Sequence, residues 1–153
     1  MPENDVLNIL VSPEGNIYVG SENKNTMVAM METVTDKFGV QLNGTQIKHF
    51  KEDAMIGAPM ALFADYLNLD TEKMGEEIQK LSIPLDSIDG GKSEFQEWVS
   101  AARDANPDIR LAIKADAKTS YAVIKKMMSE LQDMNENRYQ LITNLDTKKQ
   151  GEI

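Results

Sequence analysis

Apolar and polar positions alternate from the start of the chain. In DVLNILVSPEGNIYVG, Leu7, Ile9 and Val11 fall on one face, Ser12 to Asn16 supply turn residues, and Ile17, Tyr18 and Val19 resume the run. Successive strand side chains point to opposite faces, so this pattern predicts a β-hairpin. From residue 21 to about residue 89 the period lengthens. Met27, Met30, Met31, Val34 and Phe38 recur at helical steps before Gly39, which suits a helix C-terminus. Short helices are expected over residues 44–70, with Pro59 in a first turn and breaks at Gly57 and Asn68. A further helix is expected after Asp70, an N-cap, with Met74, Ile78 and Leu81 as its apolar stripe and Pro84 as its stop.

The pattern is sharper in the last third. Ser93 can cap a helix bearing Phe95, Trp98, Val99 and Ala102 on one side, ended by Asn106 and Pro107. Ile109, Leu111, Ile113 and Ala115 then alternate with Arg110, Ala112 and Lys114, the signature of a strand with one buried face. Asp116 follows, and Tyr121 opens a helix whose expected inner face is Tyr121, Ile124, Met128 and Leu131, flanked by Val123, Met127 and Met134, with Lys125, Lys126, Glu130 and Asp133 outward. RYQLITNL is a closing strand, and two strands joined by a helix of this length should lie parallel through a right-handed crossover. The expected class is α+β: a small mixed sheet, made of the opening hairpin and a C-terminal β-α-β unit, with helices on one face. The expected organisation is a single domain with its core in residues 5–20 and 93–145, an inserted helical subdomain over 22–90 and a polar tail over 146–153.

Composition narrows the function classes. A formal net charge of -9 over 153 residues opposes binding to a phosphate backbone, so nucleic acid is not an expected partner. The absence of cysteine excludes thiol catalysis and cysteine-based zinc sites. No apolar run approaches the roughly 20 residues a membrane helix needs, and no basic, apolar, small-residue succession at the N-terminus marks a signal peptide.

Candidate chemistry is sparse. His49, the one histidine, lacks a partner motif and reads as structural or surface-exposed. Glu76 and Glu77 read as solvated helix charges, and the ten methionines fall mostly at core spacings rather than as metal ligands. The glycines of GNIYVG and IDGG form no phosphate-binding array and read as turn and linker. Neither a metal nor a cofactor is expected. At the strand-to-helix junction, Asp116 suits a turn near a helix N-terminus and Tyr121 suits an aromatic in the sheet-helix core.

LAIKADAKTSYAVIKKMMSEL nevertheless resembles a signature of the ExbD/TolR family's periplasmic domain: apolar strand, Ala-Asp, a few residues to Tyr, and a Met- or Leu-rich helix. YQLITNL is similar to that family's closing strand, LNILVSPEGNIYVG to its opening hairpin and FQEWVSAARDANPD to its first helix. Two departures stand out: Ser120 and Ala122 replace the usual Pro and Gly, and residues 22–90 replace a short connection. The resemblance implies a non-enzymatic periplasmic domain, held in the inner membrane of a Gram-negative bacterium by a helix upstream of these residues. Its implied partners are a second copy, a multi-spanning ExbB/TolQ-like protein, and a TonB- or TolA-like protein energised by the proton gradient for transport across the outer membrane. The family's proton-responsive aspartate lies in the membrane helix, so Asp116 is not that group. Asp116 and Tyr121 carry the signature, and Leu141, Ile142 and Thr143 supply a candidate edge for strand addition, as does the hairpin. A second reading is a free-standing module whose helical segment closes over the sheet to hold a small molecule or a peptidoglycan fragment. An enzyme built on scattered carboxylates has no paired motif behind it.

Overall fold

The computed structural model describes residues 5–53, 55–86, 90–136 and 138–144. The opening alternation forms β1 (Val6–Val11) and β2 (Ile17–Gly20), paired antiparallel with Ile9 opposite Val19 and Val11 opposite Ile17. Their turn closes through Gly15 N–H to Ser12 C=O at 2.9 Å, with Gly15 at φ 87°, a conformation that a side chain would strain.

Four helices follow: α1 (Lys24–Lys37), α2 (Gly44–Glu52), α3 (Met60–Leu67) and α4 (Thr71–Glu77). Their ends obey local chemistry. Asn43 and Gln46 form a reciprocal capping box on α2, and the Asp70 carboxylate accepts from Lys73 N–H at 2.9 Å at the start of α4. Gly39 ends α1 at φ 69°, with Val40 N–H reaching back to Thr35 C=O at 2.8 Å. The helix expected to run through Leu81 stops at Glu77 and continues only as a 3-10 turn, Ile78–Lys80. Extended backbone is required beyond it, because Ile83 N–H bonds Ile17 C=O at 3.0 Å and Pro84 disfavours helix at the residue before it.

The C-terminal third runs α5 (Glu94–Ala105), β3 (Arg110–Asp116), α6 (Tyr121–Asp133) and β4 (Tyr139–Asn144). Strand order is β2-β1-β3-β4, and β3 lies parallel to both β1 and β4. The molecule is thus an α+β fold on a mixed four-stranded sheet. Leu7, Ile9, Val11, Ile17, Val19, Leu111, Ile113 and Ala115 share one face and are buried against the helices. Met27, Met30, Phe50 and Phe63 of the helical excursion join that same cluster, so the excursion completes the core of the sheet. Phe63 lies edge-on to Trp98 at 5.8 Å and to Phe50 at 6.2 Å, tying α2, α3 and α5 together.

On the other face Val6, Asn8, Leu10 and Lys114 are half-buried or exposed. At the β2 end the excursion curls over this face: the Tyr18 ring lies against Gly57 with no room for a Cβ, and Met55 sits over Gly20. Over the β1-β3-β4 part of this face, Leu10 is half-buried and Arg110, Lys114, Gln140 and Ile142 are exposed among the described residues.

Two expectations for α6 are corrected. Its buried side chains are Ile124, Met127, Glu130 and Leu131, while Tyr121 is 71% exposed. The inner face starts one turn later than expected, because Ser120 is the N-cap and Tyr121 projects from the first turn. Glu130, expected to face outward, is buried because α5 approaches there: it accepts from Ser93 Oγ at 2.6 Å, and its carbonyl accepts from Gln96 Nε2 at 2.9 Å.

Candidate partner-binding surface

The β3-α6 junction is a closed local structure. Asp116 Oδ1 accepts from Lys118 N–H at 2.8 Å and its carbonyl from Thr119 N–H at 2.9 Å, which turns the chain out of the strand. Thr119 Oγ1 donates to Ser12 C=O at 3.0 Å, joining the junction to the hairpin. The methyls of Val123 pack beside Gly15, where a Cβ would lie 3.2 Å from Val123 Cγ2. These contacts hold the first turn of α6 against the hairpin and leave the Tyr121 ring in solvent. Asp116 therefore acts through its own backbone turn.

Asp116 and Ile142 meet in one shallow depression of about 440 Å³ at the C-terminal ends of the parallel strands, lined also by Leu10, Ser12, Pro13 and Lys114. Tyr121 is outside that lining. Leu141 and Ile142 point to opposite faces of β4 and are 47% and 39% exposed. Thr143 pairs with Ala115, and its side chain lies outside the described residues. Of the four large apolar side chains exposed among the described residues, Tyr121, Leu141 and Ile142 belong to α6 and β4, and only Leu62 lies elsewhere.

The two sheet edges differ. On β2, Val19 N–H donates to Ile56 C=O at 2.8 Å and Ile56 N–H donates to Val19 C=O at 2.9 Å. Ile17 C=O accepts from Ile83 N–H, and Ile17 N–H donates to Ser82 Oγ at 2.9 Å. The outward backbone groups of Ile17 and Val19 are thus all used, and the expectation that the hairpin could offer an edge is corrected: the excursion occupies it. On β4 no described residue pairs with the outer side.

Other polar groups are structural. His49 Nδ1 lies 2.7 Å from Leu67 C=O and so carries the proton that it donates, tying α2 to the end of α3. Glu94 accepts from Met60 N–H at 2.7 Å at the start of α3, and burial raises its pKa. Arg103 grips both carboxylate oxygens of Glu136, at 2.8 and 3.1 Å, and the carbonyls of Pro107 and Ile109. Glu136 is brought there by Asn135, which takes a left-handed φ of 63° to end α6. Sequence reading missed this clamp and the Ser93-Glu130-Gln96 cluster, both of which join residues more than thirty positions apart.

Among the described residues, no helix is long and apolar enough to cross a membrane. Comparison with known protein families, curated proteins and solved structures finds no match to this chain.

Proposed function

We propose that this chain is the periplasmic domain of an ExbD/TolR-like accessory protein, a non-enzymatic part of a proton-driven complex that energises transport across the outer membrane. The observation that carries this reading is the asymmetry of the sheet: the β2 edge is sealed by the chain's own backbone, while the β4 edge is unpaired among the described residues and displays Leu141 and Ile142. An unpaired strand with apolar residues on both faces suits addition of an extended segment, from a TonB- or TolA-like protein or from a second copy. The strand-Asp-turn-Tyr-helix junction supports the same reading, since Asp116 shapes the turn and Tyr121 is presented outward. In this role the domain receives a partner, and proton transfer belongs to an upstream membrane helix and an ExbB/TolQ-like protein.

The ligand-pocket reading finds less support. The hollow between the hairpin and the excursion, lined by Tyr18, Met55 and Ile78, holds about 260 Å³. Small-molecule sites of roughly 300–1,000 Å³ bury most of their ligand, whereas the larger depressions, of about 390–520 Å³, are open to solvent.

A photo-crosslinking amino acid at Leu141 of the membrane-anchored protein, in cells that hold the assembly, tests the proposal. Adducts with a TonB- or TolA-like protein, or with a second copy, are expected, and they should vanish when the probe is moved to exposed Glu76 on α4. Equal labelling at both positions, or no adduct at Leu141, overturns the proposal.

A further inference from the structure

Alternation along β3 places Arg110, Ala112 and Lys114 on the face away from the helical core, with both cations exposed among the described residues and the small Ala112 buried between them. Leu111 pairs with Tyr139, so the next position back sets Arg138 beside Arg110. Both exposed arginines line one depression of about 410 Å³ with Val6, Ala112 and Gln140. They are two of only three arginines in a chain with 25 acidic residues. The third, Arg103, is fully engaged by Glu136 and two carbonyls. Neither Arg110 nor Arg138 forms an ion pair or side-chain hydrogen bond with another described residue.

Like charges side by side on adjacent strands destabilise a sheet, so local stability does not account for this pair. Lys114 continues the strip at every fourth residue of β3, with Ala112 between, and Leu10 and Ile142 flank its far end. From these observations we infer that the strip is a docking site for an extended, acidic peptide segment. Alternate side chains of an extended chain repeat about every 7 Å, the same repeat as alternate residues of β3. A segment lying along β4 then sets one carboxylate beside the pair of Arg110 and Arg138, whose planar guanidinium groups bind it bidentately, and another, two repeats on, beside Lys114. An acidic peptide also fits the whole molecule better than an anionic bilayer or nucleic acid, whose extended negative fields would meet the net charge of -9. This inference goes beyond the proposed function and does not require its membrane assembly.

Titration of the intact chain with a synthetic peptide of alternating Glu and Thr, followed by amide chemical shifts, tests the docking site. The controls are the same peptide with Gln for Glu and vesicles of anionic phospholipid. The Glu peptide should shift the amides of Arg110, Ala112, Lys114 and Gln140. Its affinity should fall at least about tenfold on Gln replacement and by a similar factor in Arg110→Gln/Arg138→Gln, the scale of losing charge-assisted contacts. That variant relieves the like-charge pair and should melt no lower than the parent, which separates lost docking from lost folding. Equal affinity for the Glu and Gln peptides, binding to vesicles but not to the peptide, or no binding at all overturns the inference. A Leu141 adduct together with equal binding of the two peptides overturns the acidic docking site and leaves the proposed function standing.

Discussion

Tyr121 and Trp98 were both expected to pack in the interior, and their surroundings separate them. Tyr121 keeps 71% of its surface in solvent at the start of α6, whereas Trp98 is fully buried against Phe63. Truncating a buried aromatic removes its transfer free energy and leaves a cavity, together about 3–5 kcal/mol. An exposed ring beyond the packed face has little of either to lose. Tyr121→Ala should therefore change unfolding free energy by no more than about 0.5 kcal/mol, while Trp98→Ala should cost about 3 kcal/mol or more, both read from urea denaturation. A cost for Tyr121→Ala near that of Trp98→Ala would place the ring in the core. If stability is unchanged, any loss of crosslinking by the variant in the proposed assembly is attributable to a surface that Tyr121 presents.

At the scale of elements, α6 is held to α5 by a buried carboxylate that no apolar pattern announces. Burial raises the pKa of Glu130 above its ordinary 4.5, against the hydrogen bond from Ser93 and the charge of Lys126, while Asp86 and Asp133 add to the rise. The folded state then holds the proton more tightly than the unfolded chain does. Its contribution to stability is full below 4.5 and is lost as pH rises through the folded-state value. Glu94, raised by its own burial at the start of α3, has the same sign. Glu130→Gln can still accept from Ser93 and has no charge to desolvate. Its stability relative to the parent should increase between about pH 4.5 and 7.5 in melts across that range. An offset independent of pH would show that Glu130 titrates alike in both states.

The same helix shows where sequence pattern stops being informative. The hairpin, β3 and β4 are legible because a period of two admits only two faces, and Leu7, Ile9 and Val11 declare which is inner. In α6, by contrast, Tyr121, Ile124, Met128 and Leu131 satisfy helical spacing, and so do the buried Ile124, Met127 and Leu131. What selects between them is tertiary: Val123 against the hairpin turn at Gly15, and Glu130 against the capping box of α5. Candidate surface residues were legible to a similar extent. Arg110 and Lys114 could be assigned to one face from alternation, but Arg138 joins them only through the β3-β4 register.

For the whole molecule, the excursion has two consequences at once: it completes the core and it removes one of the sheet's two edges. Buried Ile56 and Ile83 bring backbone to Val19 and Ile17, so an incoming strand would have to displace hydrogen bonds anchored by packed side chains. On the outer side of β4 no described residue pairs, so the proposed strand addition is directed to that edge. Ile142 is 39% exposed there, on the same face as Lys114. A lysine at position 142 should keep the fold, with a change of no more than about 0.5 kcal/mol, because little apolar surface is lost and edge strands tolerate charge. It should also weaken pairing of β4 with a second copy, since the ammonium would have to be desolvated beside Lys114. Sedimentation equilibrium of the isolated domain over a range of concentrations checks the association, and thermal melts check the stability. Ile142→Lys should sediment as a monomer at concentrations where the parent associates, with an unchanged melting temperature. Association of equal strength in the variant would move the interface away from β4.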